Sequence, residues 1–252
     1  MSFLGFSVDH DAWLSGLLDK QVYTLSRAVN GQSLSDVLNH YLSRSHAFAT
    51  LKLPADEVAL SVKLQRVGFH HVETALSLYR PALSACELIP IVRPADSRDR
   101  QVVVSIARRS FLFSRFHLDP MISNECACTV KAEWVNNFFA GRRGDGLLVA
   151  EYQGNVSGFL QYIHANDGSL LIDLIAVAPE ATRKQLGAAM LAYAANRGSD
   201  DGSPVALKVG TQACNIPAIN LYIKMGFCMT GSQHVFHYHS RLMHEKSLGS
   251  SS

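Results

Sequence analysis

No apolar run in this chain approaches the roughly 20 residues needed to span a bilayer as a helix, and its five cysteines include no C-x-x-C pair. The first absence argues against a helical membrane protein. Cys86, Cys126, Cys128, Cys214 and Cys228 are odd in number and widely scattered, which argues against a disulfide framework or a structural zinc site. A charge excess is missing too: 23 Lys and Arg oppose 21 Asp and Glu, a net +2, so sequence-independent nucleic-acid binding is disfavoured. Asp9 and Asp11 stand where a signal peptide would carry Lys or Arg, and the expected location is the cytoplasm. What is present, 252 residues with 48% hydrophobic and 17% charged, predicts a soluble globular protein of one large domain or two modest ones.

Punctuation along the chain favours two domains. Pro54-Ala55-Asp56-Glu57 opens an apolar helix that stops at Gly68, and the alternating strand HHVETALSLYR follows. The same order returns near the C-terminus, where NIPAINLYIKMGF leads into CMTGSQHVFHYH, so Leu64 to Phe69 parallels Tyr222 to Phe227. This hints at duplication of a helix, glycine cap and strand. The prolines of Ile89-Pro90-Ile91-Val92-Arg93-Pro94 mark a boundary near residue 88. The expected domains are therefore 1–88 and 89–244, with a flexible tail at 245–252. Beyond the boundary the pattern predicts a strand at 89–93 and a helix at about 96–109. After the loop SRFHLDPMISNE comes an amphipathic helix with Val130, Trp134, Val135 and Phe138 on one face. LLVAEYQ, NVSGFLQYIHA and SLLIDLIAV read as an antiparallel meander joined by Gln153-Gly154-Asn155 and Asn166-Asp167-Gly168. A helix from about 183 to 197, the strand VALKVGT and the final helix and strand complete the domain.

The most informative segment is the strand Leu174 to Ala178, which runs through Pro179 into Thr182-Arg183-Lys184-Gln185-Leu186-Gly187-Ala188. A strand, a tight loop and a helix start gather free N–H groups at the positive end of a helix dipole, and small residues let a diphosphate approach. No G-K-[ST] follows, which excludes a Walker loop. Here the chain resembles the GNAT superfamily of acetyl-CoA-dependent N-acyltransferases, whose loop reads Q/R-x-x-G-x-G/A. Gln185 stands where that pattern has Gly, and Gln favours helical φ over φ > 0; Thr182 departs as well. Asn215, Ala218, Tyr222, Gly226 and Phe227 match the family's N-x-x-A-x-x-x-Y-x-x-x-G-F throughout.

The resemblance implies a fold, a co-substrate and roles. The fold class is α/β (α+β), a GNAT fold with a central mixed, mostly antiparallel sheet flanked by helices, preceded by a smaller GNAT-like domain. Acetyl-CoA would be held by Ile175, Ala176, Val177, Arg183, Lys184, Gln185, Leu186, Gly187, Ala188 and Asn215. The strand 174–178 must part from VALKVGT to free N–H groups for an oxyanion. Tyr222 would protonate the departing CoA thiolate, for which a phenol of ordinary pKa about 10 serves. For the proton of the attacking amine, Asp173, His117, Glu125 and Glu133 all remain open, and an amine of low pKa needs no strong base.

Ser114-Arg115-Phe116-His117 and Glu133-Trp134-Val135-Asn136-Asn137 resemble bacterial GNAT enzymes of the dTDP-fucosamine acetyltransferase type, which act on nucleotide-linked amino sugars. That resemblance implies polysaccharide biosynthesis and a small-molecule partner, with Arg115, His117 and Asp173 facing the sugar nucleotide. Neither nucleic acid nor membrane is an expected partner; strand edges of such folds often pair across a homodimer. His237-x-His239 puts two imidazoles on one face, but no acid joins them in spacing, so an exposed strand face and no metal are expected. Two rivals stand beside the first reading: acetylation of a protein N-terminus or another small amine, and a non-catalytic acyl-CoA-binding module.

Overall fold

The structure, a computed structural model, describes residues 4–43, 46–82, 91–197 and 203–240. The boundary near residue 88, Cys86 and the tail 245–252 lie outside the described residues. The chain divides into two compact units, each discontinuous in sequence. One comprises Met1–Thr74, Asp119–Met121 and Gln233–Ser252, the other Ala75–Leu118 and Ile122–Ser232.

The first unit begins with strand β1 (Leu4–His10), helix α1 (Ala12–Leu18) and strand β2 (Gln21–Val29). Helix α2 (Leu34–Val37) continues as a π turn over Leu38–Leu42 and leads to β3 (Ala47–Pro54), α3 (Val58–Arg66) and β4 (His70–Arg80), whose last residues belong to the second unit. The second unit continues with β5 (Val92–Pro94), a 3-10 turn at Ser97–Asp99, α4 (Arg100–Ser110), α5 (Arg115–Leu118) and α6 (Asn124–Phe139). Strands β6 (Gly146–Tyr152), β7 (Asn155–His164) and β8 (Leu170–Val177) precede α7 (Leu186–Arg197), β9 (Leu207–Gln212), α8 (Ile216–Lys224) and β10 (Cys228–His239).

In the first unit β2 pairs antiparallel with β1 and parallel with β3, and β3 pairs antiparallel with β10. In the second the order is β4-β9-β8-β7-β6-β5, antiparallel except for the parallel pair of β8 with β9. The strands of each unit thus pair mostly antiparallel, with one parallel pair, and are flanked by helices. The turn of the β6–β7 hairpin is two residues long with φ of 52° at Gln153 and 77° at Gly154, the type I′ geometry that matches strand twist. Phe6, Leu25, Leu51, Leu53, Leu64, Phe69 and Phe236 are buried together in the first unit. Val103, Ile106, Val135, Phe159, Leu160 and Leu191 are among those buried in the second. Each such side chain contributes about 1.5–3 kcal/mol. No helix among the described residues is long and apolar enough to cross a membrane.

The repeated Gly-Phe segments have the same local geometry. At the end of α3, Phe69 N–H donates to Leu64 C=O and Gly68 N–H to Gln65 C=O; at the end of α8, Phe227 N–H donates to Tyr222 C=O and Gly226 N–H to Ile223 C=O. Both are Schellman caps, with φ of 99° at Gly68 and 83° at Gly226. In each unit a parallel strand pair joined through a helix precedes the capped helix. Leu64, fully buried, occupies in α3 the place that Tyr222 holds in α8.

Two sequence expectations change here. The helix expected from about 183 starts at Leu186, because Arg183 and Gln185 sit at φ of 61° and 60° and interrupt helical hydrogen bonding. The SRFHLDP stretch expected as loop contains α5, a single turn whose His117 and Leu118 N–H groups donate to Ser114 C=O.

Candidate active site

The site is built on the parallel pair. Residues Leu170, Leu171 and Ile172 of β8 register with Leu207, Lys208 and Val209 of β9, and pairing stops there although the strands run on to Val177 and Gln212. The cause is local. Against β7, Tyr162 pairs with Ile172 and Gln161 with Leu174, so Asp173 is an extra, bulged residue. A bulge bends its strand, and β8 leaves β9 at that point. The edge of β8 turned from β7 between Asp173 and Val177, including Ile175 and Ala176, is thereby left without a partner strand.

Below the opening lies the loop into α7. No hydrogen bond from the backbone N–H groups of Arg183, Lys184, Gln185, Leu186, Gly187 or Ala188 to a protein acceptor is found among the described residues. A helix start leaves up to four such donors; the two left-handed residues extend the run and fold it into a concavity able to take an anion. Thr182, Arg183, Lys184 and Gln185 are exposed, and two of them are cationic. The position where the family pattern has glycine does take φ > 0, with glutamine in it. Gly187 has a packing role: a Cβ there would stand 3.0 Å from Leu221 Cδ2, so its absence lets α8 close on the start of α7. The helix of the first unit that joins its own parallel pair differs. Ser33 caps α2 with Asp36 in a reciprocal capping box, which occupies the Ser33 and Asp36 N–H groups and places a carboxylate where an anion would sit.

Tyr222 is 3% exposed, with its ring 5.4 Å from Phe227, and its hydroxyl has no hydrogen-bond partner among the described residues. Burial pushes its pKa above the usual phenol value, so it carries its proton across the physiological range. Asn215 caps α8, its Oδ1 accepting from Ala218 N–H at 3.3 Å, which leaves its Nδ2 for other contacts.

Asp173, the bulged residue, turns its side chain away from solvent. Its buried carboxylate accepts from Arg143 Nε and Nη2 at 2.7 and 2.6 Å, Gln161 Nε2 at 3.0 Å and Trp134 Nε1 at 3.1 Å. The Arg143 guanidinium also lies 4.9 Å over the Trp134 ring. Both oxygens are engaged, which suits Asp173 to fixing the bulge better than to removing a proton. Glu133 is half-buried and accepts from Asn136 Nδ2 at 3.0 Å, while Glu125 is exposed on the first turn of α6. Arg115 lies 4.9 Å over the buried Phe116 ring. His117 bonds Ser114 Oγ at 2.7 Å, and burial, with Lys131 nearby, holds its pKa below the ordinary imidazole value.

The structure corrects the reading of His237 and His239. Both are buried, and Asp119 joins them from 118 residues away, its Oδ2 lying 2.6 Å from His237 Nδ1 and 2.8 Å from His239 Nε2. Lys20 Nζ donates to His239 Nδ1 at 3.0 Å, so His239 carries its proton on Nε2 toward Asp119. These three side chains have the composition of a metal site. Their spacing is that of hydrogen bonds, however, shorter than the roughly 3.3 Å between ligands around a tetrahedral zinc, and an ammonium lies behind one imidazole. The cluster is a hydrogen-bonded chain from Lys20 to His237. Burial raises the Asp119 pKa, but the bonds from both histidines and Met121 N–H outweigh it and hold the carboxyl below its usual range.

Arg143, Gln161 and Asp119 carried no signal in the sequence, because each finds its partner only after the chain has folded. With this geometry in hand, comparison places the chain. Residues 111–227 match the model of the acetyltransferase (GNAT) family. The spore coat polysaccharide biosynthesis protein SpsD of Bacillus subtilis is 30% identical over 195 residues, covering 76% of this chain and 66% of that relative, just under two thirds of its length. A functionally unknown conserved protein of Staphylococcus epidermidis superposes with a TM-score of 0.63 at 15% identity, over 93% of this chain and 91% of its own. A GCN5-related N-acetyltransferase of Kribbella flavida gives 0.59 at 14% identity, over 94% and 88%. Those two likenesses are of fold. Residues 111–227 are thus an acetyltransferase (GNAT) domain.

Proposed function

We propose that the chain transfers the acetyl group of acetyl-CoA to the amino group of a nucleotide-linked amino sugar, by direct attack of the amine on the thioester. The observation that carries the transfer reading is the gap between β8 and β9 above six consecutive undonated N–H groups. Bound acetyl-CoA supplies a thioester carbonyl open to attack. The 183–188 N–H groups, with Arg183 and Lys184, take the diphosphate, and Asn215 Nδ2 reaches the pantetheine. The free edge of β8 at Ile175 to Val177 donates to the negative charge that develops on the carbonyl oxygen. Tyr222 gives its proton to the departing sulfur, and the proton that the amine loses on acylation restores the phenol.

The amino-sugar acceptor is supported by the resemblance at Ser114 to His117 and Glu133 to Asn137, and by a relative named for polysaccharide biosynthesis. In this reading Arg115 pairs with a phosphate of the nucleotide, His117 faces a sugar hydroxyl, and Asp173 orders Arg143 and Trp134 alongside. The region before residue 88 serves as a smaller GNAT-like partner, with Leu64 at the place of Tyr222.

The test is incubation with acetyl-CoA and a panel of amino-sugar nucleotides, following CoA release and the mass of each acceptor. An acetyl increment on one sugar nucleotide, with Arg115→Ala raising its KM and sparing that of acetyl-CoA, is expected. Acetylation of peptide N-termini or simple amines alone would replace the acceptor, and acetyl-CoA binding without CoA release for any amine would replace catalysis with a binding role.

A further inference from the structure

The second unit holds a cluster whose thiol acetyl transfer to an amine does not use. His117 on α5 lies between two side chains: its Nδ1 is 2.7 Å from Ser114 Oγ, and its Nε2 is 3.6 Å from Cys128 Sγ on the second turn of α6. Ser114 is buried, and His117 and Cys128 are half-buried. A thiol within reach of an imidazole whose far nitrogen is fixed by a third group has the geometry of nucleophile, base and orienter. With Nδ1–H donating to Ser114 Oγ, the Nε2 lone pair faces the thiol. Burial and Lys131 keep the imidazole neutral and ready to accept a proton. Cys214 and Cys228 are exposed, with no imidazole beside them among the described residues.

We propose that Cys128 is a nucleophilic thiol that takes an acyl group from a thioester, with His117 as its base and Ser114 holding His117 in place. The Cys128 proton passes to His117 Nε2 as the sulfur attacks the thioester carbonyl carbon. A carbon–sulfur bond to Cys128 forms as the bond to the donor sulfur breaks, and the departing thiolate takes the proton from His117. Nothing is oxidised or reduced, and one thioester replaces another. Only the identity of the natural donor, acetyl-CoA, rests on the function proposed above.

The experiment treats the full chain, without acceptor, with two thioesters, acetyl-CoA and its truncated analogue S-acetyl-N-acetylcysteamine, and maps the acetylated peptides. Alkylation rates with iodoacetamide are measured in parallel. The expected result is a hydroxylamine-labile acetyl group on Cys128 with the truncated thioester, and alkylation of Cys128 at least about tenfold faster than Cys214. His117→Gln slows both by about 10²-fold, while Cys128→Ser removes the labile adduct. The proposal is overturned if Cys128 is alkylated no faster than Cys214 and Cys228, if the label falls elsewhere, or if His117→Gln changes neither rate. The truncated thioester needs no diphosphate grip, so labelling by it but not by acetyl-CoA would overturn acetyl-CoA as donor and leave the activated thiol standing.

Discussion

Two buried side chains carry opposite assignments, one chemical and one structural. Tyr222 packs among apolar side chains, and its hydroxyl makes no hydrogen bond among the described residues, which leaves its proton available for transfer. Tyr222→Phe is expected to lower kcat about 10²-fold with the KM for acetyl-CoA little changed; unchanged turnover would remove Tyr222 from its role. Asp119 is the structural case. Asp119→Asn leaves two buried imidazoles facing a neutral amide and is expected to cost about 3–5 kcal/mol in urea unfolding. The folded pKa of Asp119 lies below the unfolded value of about 3.9. Its contribution is therefore complete above that value and is lost as pH falls toward the folded one. The stability curves of wild type and Asp119→Asn should converge below about pH 4, and parallel curves would refute the assignment.

At the scale of elements, the parts legible in the sequence were those whose cause is local. The Schellman caps at Gly68 and Gly226, the meander and its type I′ turn all announce themselves within a few residues. Gly226→Ala forces a Cβ into left-handed backbone and should cost about 1–2 kcal/mol in thermal unfolding, with Gly226→Asn recovering part of it. Equal stability of Ala and Gly there would mean the cap had rearranged. The start of α7 was misjudged because Arg183 and Gln185 are ordinary helix formers; only the folded loop holds them at positive φ. Gln185→Val, β-branched at φ of 60°, should weaken acetyl-CoA affinity more than Gln185→Gly, as calorimetric titration would read. The bulge at Asp173 was equally hidden. Its cause is convergence of Trp134, Arg143 and Gln161, residues up to 39 positions away.

For the whole molecule, the family pattern at Asn215 to Phe227 located the candidate site, while the partners that hold it together were out of reach of any local pattern. The two units repeat a parallel pair and a glycine-capped helix, yet among the described residues the second has the longer run of undonated N–H groups, at 183–188, and a tyrosine on its capped helix. The first has Leu64 and a closed capping box at Ser33. The central claim, that the carrier is gripped by main chain between β8 and α7, is tested most directly by backbone amide hydrogen exchange with and without acetyl-CoA. Binding should slow exchange at residues 183–188 and 175–177 and leave 33–37 unchanged. Acetyl-CoA binding with exchange at 183–188 unaltered, or with protection at 33–37 instead, would contradict it.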